Sequence, residues 1–277
     1  MNKEMSIIVA AVLVALTGLS LWWYWVEKPM PIVTSMPTPT APTLNTEVPP
    51  QAASEPAIRF PIEPLAASNP EGLPRNLETA LIDLFGRKTV LTLFQLDDFA
   101  RLAVATVDNL GRPAAPAHLW PLNPAGGRFT VIKQGNFETI SSDNDFRYTP
   151  YVLLLDKVDL GKVVALYKRF YAQFQQAYED LGFPKRHFND RLVEVIDLLL
   201  ATPEIGGAIK VHLPIIDGPN RPERPWVLYE FNDPALQSLS AGQQILVRIG
   251  PVNQTWVKAK LTEIRALVTA GAPSPTS

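Results

Sequence analysis

Hydrophobic positions fall into three regimes along the chain. From Ile7 to Val26 the sequence reads IIVAAVLVALTGLSLWWYWV, twenty residues without a charge; at about 1.5 Å per residue, a helix of that length crosses a hydrocarbon core of roughly 30 Å. From Pro29 to Pro74 the apolar runs shrink to two or three residues, broken by twelve prolines among Thr, Ser, Ala and Glu. Beyond Arg75 apolar residues recur at helical spacing, so the third regime is the one able to bury a core.

Within that regime, Leu77, Ala80, Leu81, Leu84 and Phe85 draw a first helical stripe, stopped by Gly86. Phe99, Leu102, Ala103, Thr106, Val107 and Leu110 draw a second, begun at Asp97 or Asp98 and ended by Gly111-Arg112-Pro113. RFTVIK and NFETI flank Gln134-Gly135 and predict a hairpin, followed by a short helix near Pro150 to Lys157. From Leu160 to Leu181 the apolar and aromatic positions share one side of a single helix about twenty residues long, and Gly182-Phe183-Pro184 ends it.

A further helix carries Phe188, Leu192, Val195, Ile196 and Leu199 on its inner side, with Asn189 as N-cap and Asp190 in the first turn. The stretch KVHL and the stretch WVLYEF predict strands, paired with each other or with the hairpin. Ser240-Ala241-Gly242-Gln243 has the form of a capping box, with Leu239 placed for a hydrophobic staple. Gly250-Pro251 stops that helix, and Asn253 is placed to cap the last one, whose inner stripe is Val257, Leu261, Ile264 and Val268. The fold class expected is α+β, predominantly helical, with a small β element and no repeat of fixed period.

The apolar run at the start changes the picture most. A cleaved signal peptide is the competing reading, but the run exceeds an h-region of about 7–15 residues. It also ends in Trp22, Trp23, Tyr24 and Trp25, an aromatic belt rather than a small-residue cleavage site. The expectation is residues 1–6 as a cytoplasmic tail, 7–26 as a transmembrane helix in contact with the lipid bilayer, 27–70 as a disordered Pro-rich linker, 71–270 as a globular domain, and 271–277 as a disordered tail. Lys3 and Lys28 nearly balance across the span, so orientation rests on the short tail before it and the long remainder after it. Proline fixes φ and removes a donor, which keeps the linker extended.

Three further stretches carry a resemblance. LAVATVDNL (Leu102–Leu110), LYKRFYAQFQQAYEDLGFPKRHFNDRLVEVIDLLLATPE (Leu166–Glu204) and VLYEFNDPALQSLSAGQQILVRIGP (Val227–Pro251) resemble the domain of unknown function 3014 family of Gram-negative bacteria. The resemblance implies a single-pass protein of the inner membrane with its C-terminal domain in the periplasm. It implies no activity, and it transfers no catalytic residue.

Composition excludes more than it suggests. A net charge of −2 gives no basic face for nucleic acid, and the absence of cysteine removes disulfide and thiol chemistry. No phosphate-cradling loop surrounds Gly126-Gly127 or Gly206-Gly207, so no nucleotide cofactor is expected, and no metal. The segment Gln175 to Asp197 concentrates five carboxylates; His187, Asp190 and Glu194 make a conceivable metal site there, but a solvated helix face accounts for them. Glu179 and Glu230 are the candidates for a carboxylate pair that cleaves glycan. Asp108 breaks a local rule, a negative charge at a helix C-terminus, and calls for Arg112, Arg101 or Arg191 as partner.

Tyr167, Tyr171 and Tyr178 place phenols at turn intervals on an apolar stripe, where a buried hydroxyl needs a partner such as Asp108 or Asn109. They belong to the core, or else they line a cleft for a peptide or glycan. The functional expectation is a binding or scaffolding module of the cell envelope, with a protein or peptidoglycan as partner. The alternative is a periplasmic glycan-cleaving enzyme.

Overall fold

A computed structural model of the chain describes residues 57–63, 76–215 and 223–270. The apolar run 7–26, the linker up to residue 56 and the tail 271–277 lie outside the described residues. Among the described residues no helix is long and apolar enough to cross a membrane.

Helix α1 (Leu77–Phe85) starts where the Asn76 side chain accepts the Thr79 N–H at 2.7 Å, and ends at Gly86, whose φ of 82° suits a residue without a Cβ. The chain turns directly into α2 (Arg87–Leu93), an element the periodicity does not reveal, because Val90 is its one buried residue. Helix α3 (Phe99–Leu110) follows; Asp98 precedes it in a left-handed conformation and gives it no side-chain cap. Instead the Asp98 carboxylate takes Arg101 at 3.2 Å on the exposed surface.

The expected hairpin is present as β1 (Val131–Gln134) and β2 (Phe137–Ile140), turning at Gly135 with φ 61°. Both pairings left open for the later strands occur: β3 (Lys210–His212) pairs with β2, and β4 (Glu230–Phe231) pairs with β3. The sheet is antiparallel throughout in the order β1-β2-β3-β4. Of WVLYEF only the end is strand, since Pro225–Val227 forms a 3-10 turn. Val211 and Phe231, about 1–2% exposed, pack from the sheet onto Leu236 of α8 (Pro234–Gln237) and Val247 of α9 (Ala241–Arg248). Burying such a side chain stabilises by about 1.5–3 kcal/mol.

Helix α4 (Asp145–Lys157) begins five residues earlier than expected and carries Pro150 inside it. The single helix expected from Leu160 to Leu181 is two, α5 (Leu160–Arg169) and α6 (Tyr171–Asp180). The break falls at Phe170, where the chain changes cores. Val164 packs with Val193 and Val268, whereas Phe170, Phe174 and Tyr178 pack with α1, α2 and α3.

Helix α7 (Phe188–Leu200) is central, in contact with α3, α6, α9 and α10 (Pro251–Thr269). It begins two residues earlier than expected: His187 occupies the N-cap without a side-chain bond. Asn189 is therefore not the cap. It is 0% exposed and its amide is committed inward, as described below. Asn253 is likewise not a cap, because α10 starts at Pro251. Its amide donates to Ile249 O at 2.8 Å and Asp145 O at 3.1 Å, tying α10 to the start of α4.

The capping box at Ser240 forms as expected, with Gln243 N–H to Ser240 Oγ at 3.3 Å and Ser240 N–H to Gln243 Oε1 at 3.2 Å. The staple does not, because the residue facing Leu239 is Gln244, which donates instead to the carbonyls of Gln237 and Leu239. Gly242 allows α9 to approach α3 and α7 closely. A Cβ there would meet Leu199 Cδ2 at 2.5 Å and Leu110 O at 2.9 Å.

Candidate functional site

The sequence rule broken at Asp108 is compensated by two arginines. Asp108, 3% exposed at the last turn of α3, accepts Arg112 Nη2 at 2.6 Å and Arg191 Nε at 2.9 Å. Arg191 also donates through Nη2 to the Asp108 carbonyl at 3.0 Å, filling one of the acceptors a helix C-terminus leaves open. Its Nη1 reaches Glu194 Oε1 at 2.9 Å. This planar fork needs room, and Gly111 supplies it: a Cβ at that position would lie 2.8 Å from Arg191 Nη2. Asn109 contributes its carbonyl to the Arg112 N–H at 2.9 Å.

The three tyrosines share an aromatic cluster with Phe174, Phe183 and Phe188. Tyr167 donates to Asn189 Oδ1 at 3.2 Å, and burial pushes its phenol well above the usual range, with Tyr171 and Asp190 adding to the effect. Tyr171 donates to Gln175 Oε1 at 3.1 Å and accepts the Asn189 N–H at 3.4 Å. Tyr178, 1% exposed, stacks on Phe183 with centroids 4.7 Å apart, and the Arg186 charge lies nearby. Burial raises the Tyr178 phenol, and the nearby Asp108 charge raises it further while Arg191 opposes. Of the three, only Tyr178 is thus brought near Asp108.

The two carboxylates considered for hydrolysis have different surroundings. Glu179, half-buried on α6, accepts Gln175 Nε2 at 2.8 Å. Glu230, on β4, faces His212 Nε2 at 3.8 Å, and His212 Nδ1 is 2.9 Å from Asn232 Oδ1. Helix α6 packs on α3, α5 and α7, whereas β4 packs on β3 and α8.

His187, Asp190 and Glu194 do not converge either. Asp190 accepts the main-chain N–H groups of Arg59 and Phe60, and Glu194 takes Arg191. Among the described residues no group of three or more metal-ligating side chains occurs. Asp197 pairs with Arg265 of α10 through two hydrogen bonds. Asp190 and Asp197 therefore fasten α7 to neighbouring segments, which the local pattern alone did not reveal, while Glu194 pairs with Arg191 on α7 itself.

Two shallow grooves open on the surface. One, of about 480 Å³, runs between α2 and α4, with an apolar floor that includes Leu84, Leu93, Leu153 and Leu154 and with Lys88 and Lys157 at its rim. The other, of about 660 Å³, lies between α1 and α6 and includes Leu77, Phe99, Arg101 and Asp180. The candidate tyrosines and glutamates line neither groove. Helix α4 has no fully buried residue, and Phe146 and Leu153 on it are 76% and 46% exposed.

No curated protein and no solved structure matches the chain. A family pattern described as Protein of unknown function (DUF3014) matches residues 99–265, from the start of α3 to the last turns of α10. That span contains Asp108, the three tyrosines, Glu179, Glu230 and Arg191, and it is more than half of the chain: the protein belongs to the DUF3014 family.

Proposed function

We propose that the protein is a membrane-anchored binding or scaffolding module of the bacterial cell envelope, held in the inner membrane by residues 7–26 with its folded domain in the periplasm. The uncharged apolar run with its aromatic end supports the anchor, and the Pro-rich linker supports a domain that meets its partner at a distance. The observation that carries the binding reading is the α2–α4 groove. It offers apolar side chains at an open surface, and among the described residues neither Lys88 nor Lys157 has a carboxylate in ion-pair range. An envelope protein presenting apolar side chains flanked by acidic ones fits that rim, and peptidoglycan is the other partner to test. Glycan hydrolysis needs two carboxylates held about 5–10 Å apart. Glu179 and Glu230 have separate partners on elements with separate neighbours, which favours binding over cleavage.

The test uses the full chain in detergent, incubated with peptidoglycan and, in parallel, crosslinked in the membrane. Crosslinks through the α2–α4 groove that disappear in Leu153→Asp support the reading. Release of muropeptides that is lost in Glu179→Gln or Glu230→Gln overturns it.

A further inference from the structure

Residues 57–63 fall inside the stretch read as linker, yet they lie against the folded domain. The Asp190 carboxylate accepts the Arg59 N–H at 3.1 Å and the Phe60 N–H at 2.7 Å. The neighbouring Asn189 amide donates to Phe60 O at 2.9 Å. Two consecutive side chains of α7 thus read three main-chain groups of two consecutive residues. The half-buried Phe60 ring packs against a buried cluster of Val164 of α5, Val193 of α7 and Val268 of α10, on which Tyr167 and Ile264 also pack. Ile58 and Arg59 stay exposed.

The walls of this groove hold together without the segment that fills it. Asn189 also donates to Val268 O at 3.1 Å and accepts from Tyr167, and Asp197 ties α7 to Arg265 of α10. The occupant is preshaped as well, since a residue before proline is restricted to extended conformations and Phe60 precedes Pro61. Main-chain hydrogen bonds plus an apolar seat for one side chain is one established way of binding an extended peptide.

We infer that the groove between α5, α7 and α10 is a binding site for an extended peptide carrying an aromatic-proline pair, and that the chain's own residues 58–62 are its resident ligand, a detachable clasp. Fourteen residues, 63–76, join the clasp to α1, so the cis segment has a high effective concentration and excludes a free competitor. Release adds residues 58–75 to the linker, at most about 55 Å at about 3.1 Å per residue. The inference does not depend on what the domain binds or on which side of a membrane it lies.

The test compares the wild-type full chain in detergent with one in which residues 58–62 are replaced by a Gly/Ser run of equal length. The probe is a fluorescent synthetic peptide, AIRFPIE. It is expected to bind the replaced chain at least about tenfold more tightly than the wild type, and to lose that binding when Asp190→Ala is added. Amide hydrogen exchange in α7 and α10 is expected to stay the same in both chains. Equal affinity for the two chains, no binding to the replaced chain, or binding indifferent to Asp190→Ala overturns the site. Loss of protection throughout α7 and α10 on replacement overturns the clasp, because the segment would then be part of the core.

Discussion

Arg191 and Asp108, 83 positions apart in the chain, meet twice: Nε donates to the carboxylate at 2.9 Å and Nη2 to the same residue's carbonyl at 3.0 Å. The pair joins α3 to α7 at the point where the sequence places a charge that the helix dipole disfavours. Removing one partner of such a buried pair leaves the other uncompensated. Asp108→Ala is expected to cost about 3 kcal/mol, read as a lower urea midpoint at unchanged slope. Arg191→Lys keeps the charge but loses the fork and is expected to cost less, about 1–2 kcal/mol.

Gly242 gives a steric prediction. Gly242→Ala places a methyl group 2.5 Å from Leu199 Cδ2 and 2.9 Å from the Leu110 carbonyl, so α9 must shift. The expected loss is about 1–3 kcal/mol in thermal or urea unfolding. Gly126→Ala, with nothing within 4 Å of the added methyl, is the control and is expected to change stability by less than about 0.5 kcal/mol.

Asn189→Ala strips partners from Phe60 O, Val268 O and the Tyr167 hydroxyl at once. A loss of about 3 kcal/mol is expected, because each buried group left without a partner carries its own desolvation cost. Asn253→Ala, whose amide bonds two carbonyls at a half-buried position, is expected to cost about 1 kcal/mol. Equal losses from the two would contradict the hub role of Asn189.

Tyr167 governs behaviour in alkali. Its folded-state phenol is raised well above the ordinary value by burial, so the folded chain binds this proton more tightly than the unfolded chain does. Its contribution to stability is full below the unfolded value of about 10 and is lost as pH rises through the folded value. Wild type is therefore expected to lose stability above about pH 10 faster than Tyr167→Phe. Tyr167 is expected to ionise only together with unfolding, which ultraviolet absorbance of phenolate follows.

What the sequence made legible is what short spacings encode. The hairpin at Gly135, the stops at Gly86 and Gly182 and the box at Ser240 each depend on residues within four positions. Asp108 was legible as an anomaly for the same reason, since the dipole rule is local, but choosing Arg191 over Arg101 required the packing of α3 on α7. Asn189 shows the limit. Its type fits a helix N-cap, and a two-residue shift of the helix start turned its amide toward acceptors 129 and 79 positions away. The break at Phe170 was hidden because Phe170, Phe174 and Tyr178 continue an apolar stripe even as the helix changes the core it faces. Helix α2 was hidden because seven residues with one buried side chain make no stripe.

The inward turn of Asn189 has a mechanical consequence. One amide grips both Phe60, on the approach to the domain, and Val268, near its far end. A pull exerted from the N-terminal side through Ala57 therefore enters the fold at the first turn of α7, and the sheet carries none of that load until the grip on Phe60 has yielded. Tension would strip two main-chain N–H bonds and one carbonyl bond before it reached α1, giving the domain a weak link that yields ahead of its core.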